Sequence, residues 1–221
     1  MPEFHIVIPS ASAENLRGCL ESIVSKEPRF PLDHIVVVDD GARKDLGKAF
    51  QGITWVRGVK PFVFARNVNA GIRAAGTDVI LMNDDARLAT QGGFGFLADF
   101  AGPRSDIGVC SAAVDGYVGN PVQKPANAGF RTDEKTLAFV CVYLPRRVFE
   151  VIGPLDERFT AYGGDDVDYC DRIRKAGLLL GIHDVCVVQH DEKLSTFRSK
   201  PDAFELYKRG LAIYEEKKRT S

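Results

Sequence analysis

Apolar and polar positions change period repeatedly along this chain. Phe4 to Pro9 is a short apolar run with the length of a buried strand, and from Glu14 the residues Leu16, Leu20, Ile23 and Val24 recur at helical spacing. The alternation continues with a strand from His34 to Val38, a short helix from Asp45 to Phe50, and a strand from Ile53 to Val56. A helix from Arg66 to Ala75 follows, with Val68, Ile72 and Ala75 on one face, and Gly76 ends it before a strand from Val79 to Met82. Strands alternating with helices at this spacing predict right-handed crossovers and an α/β fold, a mainly parallel central sheet flanked by helices. In such sheets ligands bind beyond the carboxyl ends of the strands, so Pro9-Ser10-Ala11, Asp39-Asp40 and Asn83-Asp84-Asp85 should meet in one crevice.

The second half is less regular. Helices are predicted for Gly92 to Phe100, Arg146 to Ile152 and Asp165 to Ala176, and strands for Ile107 to Val114, Leu137 to Leu144 and Leu178 to Gln189. Between them, residues 115–134 are rich in Gly, Pro, Asn and charge without a period, a length of loop that is more often functional than accidental. From Asp202 to Lys218, Phe204, Tyr207, Leu211 and Tyr214 fall at helical spacing, read as packing first and partner binding second. The expected organisation is one catalytic domain over residues 1–200, with a nucleotide-binding half (1–90) and an acceptor-binding half (91–200), followed by a helical tail (201–221).

Composition adds limits. With 221 residues, 45% of them hydrophobic, the chain can bury a full core. Lys and Arg total 29 against 30 for Asp and Glu, so bulk charge gives no reason to expect nucleic acid or an acidic membrane as partner. Cys19, Cys110, Cys141, Cys170 and Cys186 are scattered among apolar neighbours without zinc spacing, which reads as buried free thiols in a reducing compartment. No apolar run approaches the ~20 residues of a membrane span, and no basic leader precedes Phe4, so a cytoplasmic protein is expected, with peripheral membrane attachment left open.

Candidate chemistry sits at the strand ends. Asn83-Asp84-Asp85 closes an apolar run, and crowded carboxylates are tolerated where a hard divalent cation, Mn²⁺ or Mg²⁺, neutralises them; the alternative is an acidic turn capping the next helix through Asp85 or Thr90. One of Asp39 and Asp40 is expected to cap the helix after Gly41 with the other solvated, although a carboxylate in a crevice can also accept the N–H of a pyrimidine ring. Arg66-Asn67, at a predicted helix start, suits an anion, or is an ordinary surface pair. Gly163-Gly164 precede an acidic helix start, in which Asp165 or Asp166 can accept a proton, or merely complement the helix dipole. His190 ends the last strand and is competent to bind metal; Lys193, Arg198 and Lys200 beyond it can close on a diphosphate. His5, His34 and His183 are read as structural.

The order Val36-Val37-Val38-Asp39-Asp40-Gly41, Ala65-Arg66-Asn67-Val68-Asn69-Ala70-Gly71, Asn83-Asp84-Asp85, Gly153-Pro154-Leu155-Asp156-Glu157, Gly164-Asp165-Asp166 and a strand-end His190 resembles family 2 glycosyltransferases of the GT-A fold. The resemblance implies a nucleotide-sugar donor (a UDP- or dTDP-sugar), a divalent metal and an acceptor hydroxyl on a glycan, protein, small molecule, lipid-linked molecule or modified nucleobase. It implies that Pro9, Ser10, Ala11, Asp40, Arg66, Asn83 and Asp84 bind the nucleotide-sugar, that Asp85 and His190 hold the metal, and that Asp166, beside Asp165, is the catalytic base of an inverting displacement. The family's usual first acid is Asn83 here, as in its rhamnosyltransferase-like branch. A nucleotidyltransferase and a non-catalytic nucleotide-sugar-binding protein are the alternatives; Pro9-Ser10-Ala11-Ser12-Ala13 lacks the glycine-rich, basic loop of the former.

Overall fold

A computed structural model describes residues 4–43, 46–133, 135–160, 163–195 and 201–220. The amino-terminal half alternates as the pattern predicts. β1 (Phe4–Ser10), α1 (Ala13–Lys26), β2 (Ile35–Asp39), α2 (Leu46–Ala49), β3 (Thr54–Arg57), α3 (Phe64–Ala75) and β4 (Asp78–Met82) form the parallel sequence β3-β2-β1-β4. Ser12 caps α1, its hydroxyl accepting the Asn15 N–H at 3.3 Å, an arrangement typically worth about 1 kcal/mol. Leu16, Leu20 and Ile23 then bury one face of α1, at about 1.5–3 kcal/mol each. On the other side of the sheet, Gly71 lets α3 lie directly on Val7 and Val38, where any side chain would collide.

The second half holds β5 (Ala86–Leu88), α4 (Gly93–Ala101), β6 (Ile107–Gly116), β7 (Phe130–Asp133), β8 (Cys141–Leu144), α5 (Arg146–Ile152), α6 (Asp165–Lys175), β9 (Leu179–His190) and α7 (Ala203–Thr220). The sheet continues β4-β8-β6-β9-β5, with β7 also paired to β9. β8 is antiparallel to both β4 and β6, which leaves β6 and its parallel partner β9 running in the direction of β4. The carboxyl ends of β1, β2, β4, β6 and β9 therefore lie along one edge.

Several expectations are corrected. Asp85 and Thr90 cap no helix: β5 follows Asp85, α4 starts from Gly92, and the Thr90 hydroxyl accepts the Val187 N–H. Only Cys141–Leu144 of the predicted 137–144 strand pairs, because the Leu137 N–H meets Cys170 Sγ and the Ala138 backbone is occupied by the Gln123 amide. The aperiodic 115–134 segment contains a 3₁₀ turn (Pro121–Gln123) and β7, and buried Gln123 and the Arg131–Asp184 pair pin it to the sheet. Of the helix expected from Asp45, that residue lies outside the described ones.

All five cysteines are buried and free. At the opposite edge of the sheet, the rings of His5 and His34 stack 4.5 Å apart, and His183 Nδ1 accepts the Val185 N–H, as structural histidines do. Among the described residues, no helix is long and apolar enough to cross a membrane.

Candidate active site

Three strand ends close on one another at the carboxyl edge. The Ser10 hydroxyl donates to Asp84 Oδ2 at 2.5 Å, while the Ser10 carbonyl accepts the Asp40 N–H at 2.9 Å. Pro9 and Ser10 are buried at the end of β1, and exposed Ala11 leads into α1. Burial pushes the Asp84 carboxyl up to about 6, helped by the negative charge of Asp85 and resisted by the Ser10 hydrogen bond. Asn83 turns the chain: its N–H donates to the Val140 carbonyl, and its own carbonyl accepts the Ala86 N–H.

The turn from β4 to β5 sits against the end of β9, because Ala86 is in register with His190. His190 Nε2 lies 3.2 Å from Asp85 Oδ1, and both residues are buried. The other imidazole nitrogen, Nδ1, is 2.6 Å from the Tyr117 carbonyl, an acceptor only, so Nδ1 carries the hydrogen. In neutral His190 the lone pair of Nε2 then faces a carboxylate oxygen. Two acceptors at this distance repel unless a cation, either a proton or a metal, lies between them. Metal-bound histidines are commonly held by such a hydrogen bond from their second nitrogen. Among the described residues no group of three or more His, Cys, Asp or Glu is arranged to hold a metal, so an ion here would need further ligands from a bound phosphate or water.

Asp39 and Asp40 have different fates. Asp39 Oδ1 accepts the N–H groups of Gly41, Ala42 and Arg43 at 3.0, 2.7 and 2.9 Å, so it closes the turn after β2 and does not cap α2, which starts only at Leu46. Asp40 is not solvated as expected. Its side chain is only 6% exposed, Oδ1 accepts no hydrogen bond from the described residues, and the Lys60 ammonium stands 3.9 Å away. Buried Asn67 has the complementary defect: Oδ1 accepts the Val59 N–H, while Nδ2 finds no acceptor among the described residues. Arg66, beside it on α3, lies 3.6 Å from Glu157.

α6 carries the second cluster. Its N-cap is Gly164 in the left-handed region (φ +91°), and the carboxyl groups of Asp165 and Asp166 crowd its first turn. Burial, and then the charge of neighbouring acids, raises both above the usual carboxylate range; Asp166 keeps some contact with solvent, yet the protein strips most water from its carboxyl. Among the described residues, no hydrogen bond or ion pair links these two acids to Asp84, Asp85 or His190. Lys193 is exposed on the turn after β9; Arg198 and Lys200 lie outside the described residues.

Three residues that sequence reasoning passed over shape the site. Asn15 Nδ2 donates to the Leu194 carbonyl at 2.7 Å, tying the turn that carries Lys193 to the start of α1. Arg87 donates to the Asp84 and Ala86 carbonyls and fixes the turn from behind. Asn69 binds both backbone groups of Leu155, holding the Gly153–Glu157 segment on α3. Asn15 and Asn69 are polar residues within apolar helical stripes, the one signal that marked them.

These features define a GT-A fold, and comparison with known proteins agrees. GalNAc-T7, solved with UDP, GalNAc and Mn²⁺, superposes with a TM-score of 0.73 at 16% identity, over 95% of this chain and 47% of that one. Residues 1–349 of S. aureus TarS, solved with UDP-GlcNAc, give 0.66 at 14% identity, over 93% and 64%. The mannosyltransferase PcManGT from Pyrobaculum calidifontis, solved with GDP-Man and Mn²⁺, gives 0.64 at 17%, over 88% and 58%. The chain thus spans about half to two-thirds of the length of these structures. No curated protein matches it. The model of glycosyl transferase family 2 matches residues 5–133, more than half of the chain, and the chain belongs to that family.

Proposed function

We propose that this protein moves a sugar from a nucleotide-diphosphate donor, a UDP- or dTDP-sugar, to an acceptor hydroxyl. The observation that carries the proposal is the facing pair of Asp85 Oδ1 and His190 Nε2 beside the Ser10–Asp84 hydrogen bond. Membership of the family supports it, as do the UDP or GDP-Man and the Mn²⁺ bound by proteins that share the fold. Residues 1–90 would bind the donor and residues 91–200 the acceptor.

Each residue takes a role from its chemistry. Asp40 Oδ1, buried without a donor, would accept the ring N–H that uracil and thymine carry and cytosine lacks. Pro9, Ser10 and Ala11 would line the base, Asp84 and Asn83 the ribose side, and Arg66 the nucleotide's charged side. Asp85 and His190 would hold Mn²⁺ or Mg²⁺, whose role is to offset charge on the departing diphosphate. Asp166, with its raised affinity for protons, would accept the proton of the acceptor hydroxyl as its oxygen bonds to the anomeric carbon and the bond to phosphate breaks, inverting the configuration. Asp165 would keep Asp166 proton-hungry by its charge. Asn83 in place of the first acid is the sole basis for a rhamnosyltransferase-like donor.

A thermal-shift screen of nucleotide-sugars with and without Mn²⁺ tests the proposal, because a ligand that binds only the folded state raises its stability by mass action. A metal-dependent rise with a UDP- or dTDP-sugar is expected. No rise with any donor would sink it. Binding without turnover would favour a non-catalytic binding protein, and release of pyrophosphate a nucleotidyltransferase. The anomeric configuration of the product, read by NMR, decides between inversion and retention.

A further inference from the structure

α7 crosses the start of α6 where the two glycines stand. Gly163 has φ +80°, and a Cβ there would lie 2.8 Å from the Tyr207 ring; a Cβ at Gly164 would lie 2.7 Å from the Gly210 carbonyl and 2.9 Å from the Phe159 ring. The two glycines thus lack side chains partly because α7 occupies that space. Lys217, further along α7, binds Asp168 at 2.6 Å and Asp156 at 2.8 Å, which clamps the helix in this position. Tyr207 packs one edge on the Gly163 backbone and stays 43% exposed, and Gly163 precedes Asp165 by two residues and Asp166 by three. Phe204, one turn earlier, is 67% exposed, but the Lys208 ammonium stands 4.3 Å over its ring.

We propose that Tyr207 is the acceptor-binding platform of the enzyme, and that the acceptor is a saccharide whose ring stacks on the exposed face of this tyrosine. The inference rests on the glycosyltransferase reading and deepens it by naming the acceptor class. A tyrosine fixed by two torsions offers a rigid apolar face with a polar tip at small entropic cost. A sugar ring presents the complement: C–H bonds on its face and hydroxyls at its rim. The position favours acceptor over donor. The donor crevice is built from β1, β2, β4 and β9, whereas Tyr207 stands beside the acids assigned to the acceptor hydroxyl. The packing of its edge on Gly163 fixes the ring against the segment that leads into Asp165 and Asp166.

Saturation-transfer NMR with a panel of methyl hexosides and N-acetylhexosaminides tests this, with the thermal shift caused by UDP and Mn²⁺ as a separate readout of the donor side. At least one glycoside should receive saturation from the wild-type protein. Tyr207→Ala and Tyr207→Leu should weaken its binding at least tenfold, Tyr207→Phe and Tyr207→Trp should retain it, and the shift caused by UDP and Mn²⁺ should persist in all four. Leu preserves apolar bulk between α7 and Gly163, so loss of binding in a folded Tyr207→Leu variant isolates the planar ring. Equal binding by the Leu variant, or no glycoside binding by a wild-type protein that binds UDP, overturns the proposal. If glycosides bind through Tyr207 while no nucleotide shifts the melting temperature, the platform stands and the glycosyltransferase reading falls.

Discussion

Two pairs of acids flank the same helix and are treated in opposite ways. Asp156 and Asp168 are surrounded by cations: Arg158 and Lys217 bind the first, Arg172 and Lys217 the second. Asp165 and Asp166, on the same turn of α6 as Asp168, have no cation among the described residues and crowd each other. Arg158 and then Lys217 hold the Asp156 carboxyl well below its usual range, whereas burial holds Asp165 and Asp166 above theirs. The paired acids fasten α7 to the body of the protein. The unpaired ones cost stability, a cost that fits the proposed role of Asp166 as proton acceptor.

Removing the unpaired base should give the largest effect. Asp166→Asn should lower transfer about 10²–10⁴-fold, the usual worth of a positioned base, while donor binding measured by thermal shift persists. A variant that turned over normally would refute the assignment. In the wild type, transfer should fall as pH drops through the raised value of Asp166, since only the carboxylate accepts a proton. Stability has the opposite sign. A carboxyl whose folded pKa lies above its usual 3.8 favours the fold most when protonated, and that contribution is lost as pH rises through the folded value. Asp166→Asn should therefore melt higher than wild type at pH 8, and the gap should close toward pH 4.

Breaking the paired cluster should come next. Lys217→Met strips a cation from half-buried Asp156 and buried Asp168 at once, but each keeps its arginine, so a loss of about 1–2 kcal/mol, below the full cost of orphaning a buried charge, should be read from urea unfolding. Because the Asp156 value is lowered, its contribution is present above the usual carboxylate range and disappears as pH falls through the folded value. The penalty of Lys217→Met should accordingly be greatest near neutral pH and shrink in acid. A variant whose penalty is independent of pH would show that Lys217 acts through packing alone.

The contrast between these acids was invisible in the sequence, although the elements carrying them were not. Period and punctuation located the helices and the parallel half of the sheet, because each depends on residues close in the chain. β5 escaped notice because Ala86-Arg87-Leu88 is too short to show alternation, and β7 because its partner β9 is about fifty residues away. Asp85 and His190 were both named as metal ligands, but that they face each other follows from the Ala86–His190 register, a long-range fact. The motif Gly164-Asp165-Asp166-Val167-Asp168 holds acids of both kinds. Asp168 is separated from its neighbours by Arg172, one turn on along α6, and by Lys217 on α7, and the second of these is a long-range fact.

A smaller version of the same contrast stands at the end of β2, where it can be tested with two matched substitutions. Asp40→Asn exchanges an unpartnered acceptor for a mixed amide and removes the charge. If Asp40 takes the ring N–H of the base, UDP affinity should fall about 10–100-fold, because a hydrogen bond to a charged group is worth about 1.5–3 kcal/mol. Asp39→Asn should do much less. Asparagine retains the oxygen that accepts the N–H groups of Gly41, Ala42 and Arg43 and lacks only the charge, so a loss below about 1 kcal/mol in stability and an unaltered UDP affinity are expected. Calorimetry with UDP on both variants decides the matter. Equal losses of affinity would mean that the turn as a whole, and not the empty acceptor of Asp40, recognises the nucleotide.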